Sequence, residues 1–107
     1  MKLAIVLSSS NAETNWNAFR LANLALKKGD EVNIFLLGEG VEYDKFNSEK
    51  FNIKDQVDIF LKSNKAKITA CGTCMKLRQQ ESTEACPMGG LEDFYSLVAD
   101  CDKVLTF

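Results

Sequence analysis

A chain of 107 residues with 46% hydrophobic and 26% charged side chains is one globular domain, residues 1–107, long enough for a core and too short for two. Its formal net charge of -2 gives no electrostatic reason to bind nucleic acid or an anionic membrane, and no apolar run nears the roughly 20 residues of a membrane span. Histidine is absent, which removes Cys-His and Ser-His-Asp nucleophile activation, histidine general bases and histidine-containing metal sites.

The opening KLAIVL (Lys2–Leu7) is a continuous apolar run of strand length, the pattern of a strand covered on both faces. The run Leu3–Leu7 falls short of a secretory apolar region of about 7–15 residues, and no cleavage pattern follows. It reads as the first strand of a cytoplasmic protein. After the polar loop SSSNAETN, Trp16, Phe19, Ala22 and Leu26 recur at helical spacing, with Asn11 or Thr14 as cap and Gly29 as stop signal. Glu31–Leu37 is a second strand. The stretch GEGVEYDKFNSEKF has mixed charge and no period, so it stays unassigned. Ile53, Val57, Phe60 and Leu61 then share one helix face, opened by Asn52 with Asp55 three residues on. AKITA (residues 66–70) is a third strand, and CGTCMKLRQQ begins a helix. Leu91, Phe94, Tyr95 and Val98 mark another helix, DKVLTF closes the chain as a strand, and ESTEACP has room for a fifth. Strands alternating with helices predict a parallel sheet of four to five strands with helices on both faces.

In such sheets ligands sit beyond the carboxyl ends of the strands. Three segments leave those ends: Ser8–Asn15, Gly38–Phe51 and Cys71–Lys76. Cys71 and Cys74 therefore reach the edge where this architecture places its chemistry. Of the four cysteines, Cys71 lies at a strand-to-helix turn and Cys74 in the first helical turn, where unpaired N–H groups favour a thiolate. Lys76 and Arg78 add positive charge nearby. In a cytoplasmic chain these thiols read as reduced and catalytic or metal-binding rather than as structural disulfides.

Several uses remain open at this point: two inert buried thiols, a thioredoxin-like dithiol or redox sensor, or a zinc site. Zinc wants a second close pair, and Cys86 and Cys101 lie 12 and 27 positions beyond Cys74. No metal or cofactor is expected. The hydroxyls of LSSSNAETN invite comparison with FMN loops, but that loop has no glycine for close backbone approach. Cys101, between Asp100 and Asp102, reads as structural. Cys86, beside Pro87, is a loop thiol with either a resolving or a sulfur-receiving role. Trp16 and Phe19 read as core or oligomer contact, and Trp16, Phe46 and Phe51 as apolar surface to bury between subunits.

With ACGTCMKLR placed after the third strand, the chain resembles the DsrE/DsrF-like family, which includes sulfur-relay proteins of the TusD and DsrE type. KLAIVLSS, ETNWNAFRLANLALKKGDEVNIFLLGEGVE and LVADCDKVLTF carry the likeness over nearly the whole chain. The resemblance implies a three-layer α/β/α fold, flavodoxin-like and DsrE-like, and assembly as a homotrimer or hexamer. It also implies a cysteine that carries persulfide sulfur between a donor and an acceptor protein. The family's sulfur-accepting cysteine falls on Cys71 and its later basic residue on Arg78. Cys74 matches a second cysteine present in one subgroup and absent from TusD-like members. Gln79 and Gln80 stand where the family often has a glycine after the arginine. The expected function is a persulfide carrier in which Cys71 holds sulfur, Cys74 resolves it, and Lys76 and Arg78 stabilise negative charge. The alternatives are a thiol–disulfide oxidoreductase or redox sensor using the same pair, and an oligomeric binding module with incidental thiols.

Overall fold

In the computed structural model, which describes residues 1–107, β1 (Lys2–Leu7), β2 (Glu31–Leu36), β3 (Ala66–Cys71), β4 (Met88–Gly89) and β5 (Lys103–Thr106) form one sheet. Its order is β4-β3-β2-β1-β5, and every pairing is parallel. Between the strands run α1 (Ala12–Lys27), a 3-10 turn (Gly38–Glu42), α2 (Ile53–Leu61), α3 (Gly72–Leu77) and α4 (Leu91–Asp100). The crossovers from β1 to β4 step in one direction across the sheet, and the last returns past β1 to β5. Right-handed connections therefore put α1 and α2 on one face and α4 on the other.

Local chemistry accounts for the boundaries. Asn11, not Thr14, caps α1: its side chain accepts from the Thr14 N–H at 3.0 Å. Lys28 ends that helix and Gly29, at φ 93, takes the left-handed turn that follows. Asn52 caps α2 by accepting from the Asp55 N–H at 3.1 Å. β2 stops at Leu36, one residue before the expected end, because Leu37 opens the 3-10 turn. The fifth strand lies at Met88–Gly89, just after the stretch Glu81–Pro87 where sequence allowed it, and is two residues long.

The core lies between the sheet and the α1–α2 layer. Leu3, Ile5, Leu7, Val32, Ile34, Leu36 and Ile68 are buried there with Phe19, Val57 and Phe60, and the Phe19 and Phe60 rings meet edge to face at 5.8 Å. The opposite face is thinner. Phe35 stacks on Phe94 at 4.8 Å, yet α4 has no buried residue, and β5 is exposed along its length.

The register aligns the carboxyl ends of the strands. Leu7 pairs with Leu36, Leu36 with Ala70, and Cys71 with Gly89. The 3-10 turn sits directly on this edge: a Cβ on Gly40 would lie 1.8 Å from the Leu7 carbonyl oxygen, so only glycine fits.

Candidate functional site: a polarised cysteine pair

Cys71 is both the last residue of β3 and the N-cap of α3. That double role turns its side chain from the sheet toward the first turn of the helix, which contains Cys74. Both thiols are free, as are Cys86 and Cys101.

The two sulfurs differ in surroundings and hence in charge. Burial pushes the Cys71 thiol up, but the Cys74 thiol and then the N–H groups of Cys74 and Thr73 outweigh it, leaving its pKa below the ordinary value. No cap hydrogen bond of normal length closes on the Cys71 side chain. Cys74 is shifted the other way, first by donating its proton toward Cys71 and then by burial, against the Gly38 N–H and the Arg78 charge. The pair is thus polarised, with the thiolate form favoured at Cys71 and disfavoured at Cys74.

Access to Cys71 is tighter than sequence implied. Cys71 is 6% exposed, whereas Cys74 is half-buried.

The expected cations are placed differently from their sequence reading. Lys76 is exposed and its side chain joins no ion pair or hydrogen bond, so it supplies no aimed charge. Arg78 turns back onto Cys74: Nη1 donates to the Cys74 carbonyl oxygen at 3.2 Å, and Nε to Glu42 Oε1 at 3.0 Å. Its charge is therefore shared with a carboxylate and bears on Cys74 rather than on Cys71. Cys86 is not brought to the pair. It lines a separate cavity of about 230 Å³ with Tyr43, Asp44, Met75 and Gln80. Burial and then the Asp44 charge push its thiol up, which disfavours the thiolate that a resolving role needs. Cys101 caps the end of α4, and burial is the main cause of its raised pKa.

The residues that sequence missed lie in the unassigned stretch after β2. Gly38 donates its backbone N–H to the Cys74 sulfur at 3.2 Å, and Glu42 holds Arg78. The only sequence signal was a Gly-Glu-Gly run at a strand's carboxyl end. Asn15 is fully buried, and its Nδ2 donates to the carbonyls of Ser9 at 2.8 Å and Tyr43 at 3.0 Å, tying two edge loops together. The hydroxyls of the first loop serve the loop itself, with Ser8 Oγ donating to the Phe107 carbonyl and Ser9 Oγ accepting from the Asn11 N–H. No three Cys, Asp or Glu side chains converge as a set of metal ligands.

These features define a parallel α/β domain with a cysteine pair on its carboxyl edge. The chain belongs to the DsrE/DsrF-like family, which it matches over residues 1–107. It is 28% identical to an uncharacterized protein of Methanocaldococcus jannaschii, MJ0989, with 100% of both chains covered. It is 29% identical to an uncharacterized protein of Methanopyrus kandleri, MK0008, over 98% of this chain and 93% of the other. The crystal structure of the ychN protein from E. coli has the same fold, with a TM-score of 0.82 at 22% identity and full coverage of both chains. No helix is long and apolar enough to cross a membrane.

Proposed function

We propose that this protein is a cytoplasmic persulfide carrier acting between a sulfur-donor and a sulfur-acceptor protein. The polarity of the cysteine pair carries the reading: a lowered Cys71 beside a raised Cys74. The Cys71 thiolate attacks the outer sulfur of a donor persulfide, R–S–SH, giving Cys71–S–SH and releasing R–S⁻. An acceptor thiolate then takes that outer sulfur and returns Cys71 to thiolate. Alternatively Cys74, once deprotonated, attacks Cys71 Sγ. The Cys71–Cys74 disulfide forms, the outer sulfur leaves as HS⁻ with the electron pair of the broken S–S bond, and the Cys74 proton passes to solvent. Membership of the DsrE/DsrF-like family supports sulfur relay as the setting.

The working form is a homo-oligomer, and the resemblance makes a trimer or hexamer its size. The supporting surface is α4 rather than the aromatic residues singled out from sequence. Trp16 and Phe51 pack on each other at 5.5 Å, leaving Phe46 as the exposed ring of the three, whereas Leu91 and Tyr95 are 73% and 74% exposed on one helix face.

Mass spectrometry after incubation with a persulfide donor tests the carrier. The expected product has gained one sulfur atom at Cys71. A Cys71–Cys74 disulfide with no sulfur-bearing precursor at any time would instead favour a thiol–disulfide oxidoreductase.

A further inference from the structure

Cys74 sits at a junction of two parts of the chain far apart in sequence. From its own helix, Arg78 reaches back to the Cys74 carbonyl oxygen at 3.2 Å. From the loop after β2, the Gly38 N–H points at Cys74 Sγ at 3.2 Å, and Glu42 at the far end of the same turn grips Arg78 at 3.0 Å. Lys45 shares the second Glu42 oxygen at 3.4 Å. From the end of β3, Cys71 bears on the Cys74 thiol and favours its protonated form. These are the donors and charges that bear on Cys74, and two of them come from one five-residue turn.

That turn is held firmly. The Leu37 N–H donates to the Leu7 carbonyl oxygen at 2.9 Å, and the Gly40 N–H to the Leu37 carbonyl oxygen at 2.9 Å. Gly38 itself takes a positive φ of 56, a left-handed conformation that glycine adopts without strain, as the chain turns away from β2.

We propose that the 3-10 turn Gly38–Glu42 controls Cys74: the Gly38 N–H is the catalytic hydrogen-bond donor to its sulfur, and Glu42 is a positioning residue that neutralises Arg78 and so sets how long sulfur stays on Cys71. The inference rests on the carrier reading above and names the regulation of that site. The physical reasoning is that charge on Cys74 Sγ is favoured by the Gly38 N–H and by Arg78, and disfavoured when Glu42 cancels Arg78. Cys74 attacks Cys71–S–SH only as the thiolate. With Glu42 in place the attacker stays protonated and the persulfide persists for an acceptor. When an external thiolate, R–S⁻, later attacks the Cys71–Cys74 disulfide at Cys71 Sγ, a Cys71–S–S–R bond forms, the Cys71–Cys74 bond breaks, and Cys74 leaves as thiolate onto the waiting Gly38 N–H. A second R–S⁻ then takes up the R–S group as R–S–S–R and frees Cys71.

The test uses the full chain and an inorganic polysulfide as sulfur probe. In unloaded Cys71→Ser protein, iodoacetamide labelling of Cys74 is followed against pH, with and without Glu42→Gln. Removing the Glu42 charge is expected to move the labelling profile to lower pH, and Arg78→Gln to move it to higher pH. An acidification of one unit raises the thiolate fraction about tenfold and lowers its nucleophilicity about threefold, a net gain of about threefold in attack. Glu42→Gln should therefore shorten the Cys71 persulfide half-life roughly two- to threefold, and should change nothing in a Cys74→Ser background. The Gly38 amide resonance should titrate together with Cys74 and lose that midpoint in Cys74→Ala. An unmoved Cys74 profile in Glu42→Gln, a faster decay that survives Cys74→Ser, or a Gly38 resonance indifferent to Cys74 would overturn the proposal. A protein that never takes up sulfur overturns the carrier reading instead, and the labelling profile of the unloaded protein still decides the link from Glu42 to Cys74.

Discussion

The Gly38 N–H and the Cys74 sulfur meet at 3.2 Å across 36 positions of sequence, joining the end of β2 to the helix that follows β3. The contact works against the rise in the Cys74 pKa, and the two cysteines remain unequal partners because of their own interaction and burial. Cys71 receives hydrogen-bond character from Cys74 and from backbone N–H groups, while Cys74 gives its proton toward Cys71 and takes its own support from the neighbouring loop.

One consequence is a ranking of thiol reactivity. Cys71 is lowered, whereas Cys74, Cys86 and Cys101 are raised. A small alkylating reagent in limiting amount near neutral pH should label Cys71 first, despite its burial. Its labelling rate should rise with pH and reach half-maximum below the free-cysteine value of about 8.5. Peptide mapping reads the order, and earlier labelling of Cys86 or Cys101 would remove the assignment.

Most of the fold was legible because its signals are local. KLAIVL reads as a doubly covered strand whatever surrounds it, Asn11 and Asn52 mark helix starts through side-chain oxygens that accept from N–H groups three residues on, and Gly29 marks a helix end through its left-handed dihedral angle. Cys71 was legible for the same reason: a strand end meeting a helix start is written in adjacent residues. Glu42 and Gly38 were not, because their roles exist only once β2 and β3 lie side by side and bring residues 36 apart together. The position of Arg78 was half legible. Sequence put a cation near the pair but could not show that Glu42 turns it onto Cys74. The two-residue β4 carries too little pattern to register as a strand, and its place is set by pairing with Ala70 and Cys71.

Tyr43 gives the protein an alkaline weakness. Burial, then the charges of Asp44, Cys86 and Asp58, push its hydroxyl up to about 12. A folded-state pKa above the unfolded value near 10 means the neutral ring is favoured by folding. Its contribution is complete below about pH 10 and is lost as pH rises from there toward 12. Denaturant melts at pH 9 and pH 11 should show a smaller loss of stability in Tyr43→Phe than in the parent. An equal loss in both would place the alkaline sensitivity elsewhere.

Gln79 takes a positive φ of 56 just after α3, a conformation that costs a side-chain-bearing residue roughly 1–2 kcal/mol. Gly29 occupies the corresponding position after α1 without that cost. Gln79→Gly should therefore stabilise the fold by about 0.5–1 kcal/mol, after allowing for the freer unfolded chain, and raise Tm by roughly 2–6 °C. Calorimetry checks it, and a lower Tm would show that the Gln79 side chain contributes more than its backbone strain removes.

The exposed face of α4 should be the contact between copies of the chain. Replacing both Leu91 and Tyr95 by Glu puts two like charges on that face without touching a buried residue. Light scattering should find an oligomer for the parent chain and a smaller species for the double variant, with unchanged helix content. A parent that is monomeric at micromolar concentration would defeat this expectation, as would a variant of unchanged size.

The two cysteines should also separate by substitution. Cys71→Ser removes the thiolate that accepts sulfur, and a hydroxyl near neutral pH is a far poorer nucleophile toward sulfur, so loading should fall to background. Cys74→Ser leaves Cys71 in place with a hydroxyl in place of the thiol donor, so loading should persist at a somewhat higher pH. Its persulfide should outlast that of the parent, because no neighbouring thiol remains to attack Cys71 Sγ and release HS⁻. Time-resolved mass spectrometry of the two variants distinguishes the roles. Equal loss of loading in both would mean that the pair acts as one redox unit, and the division into carrier and resolver would fall even with the fold intact.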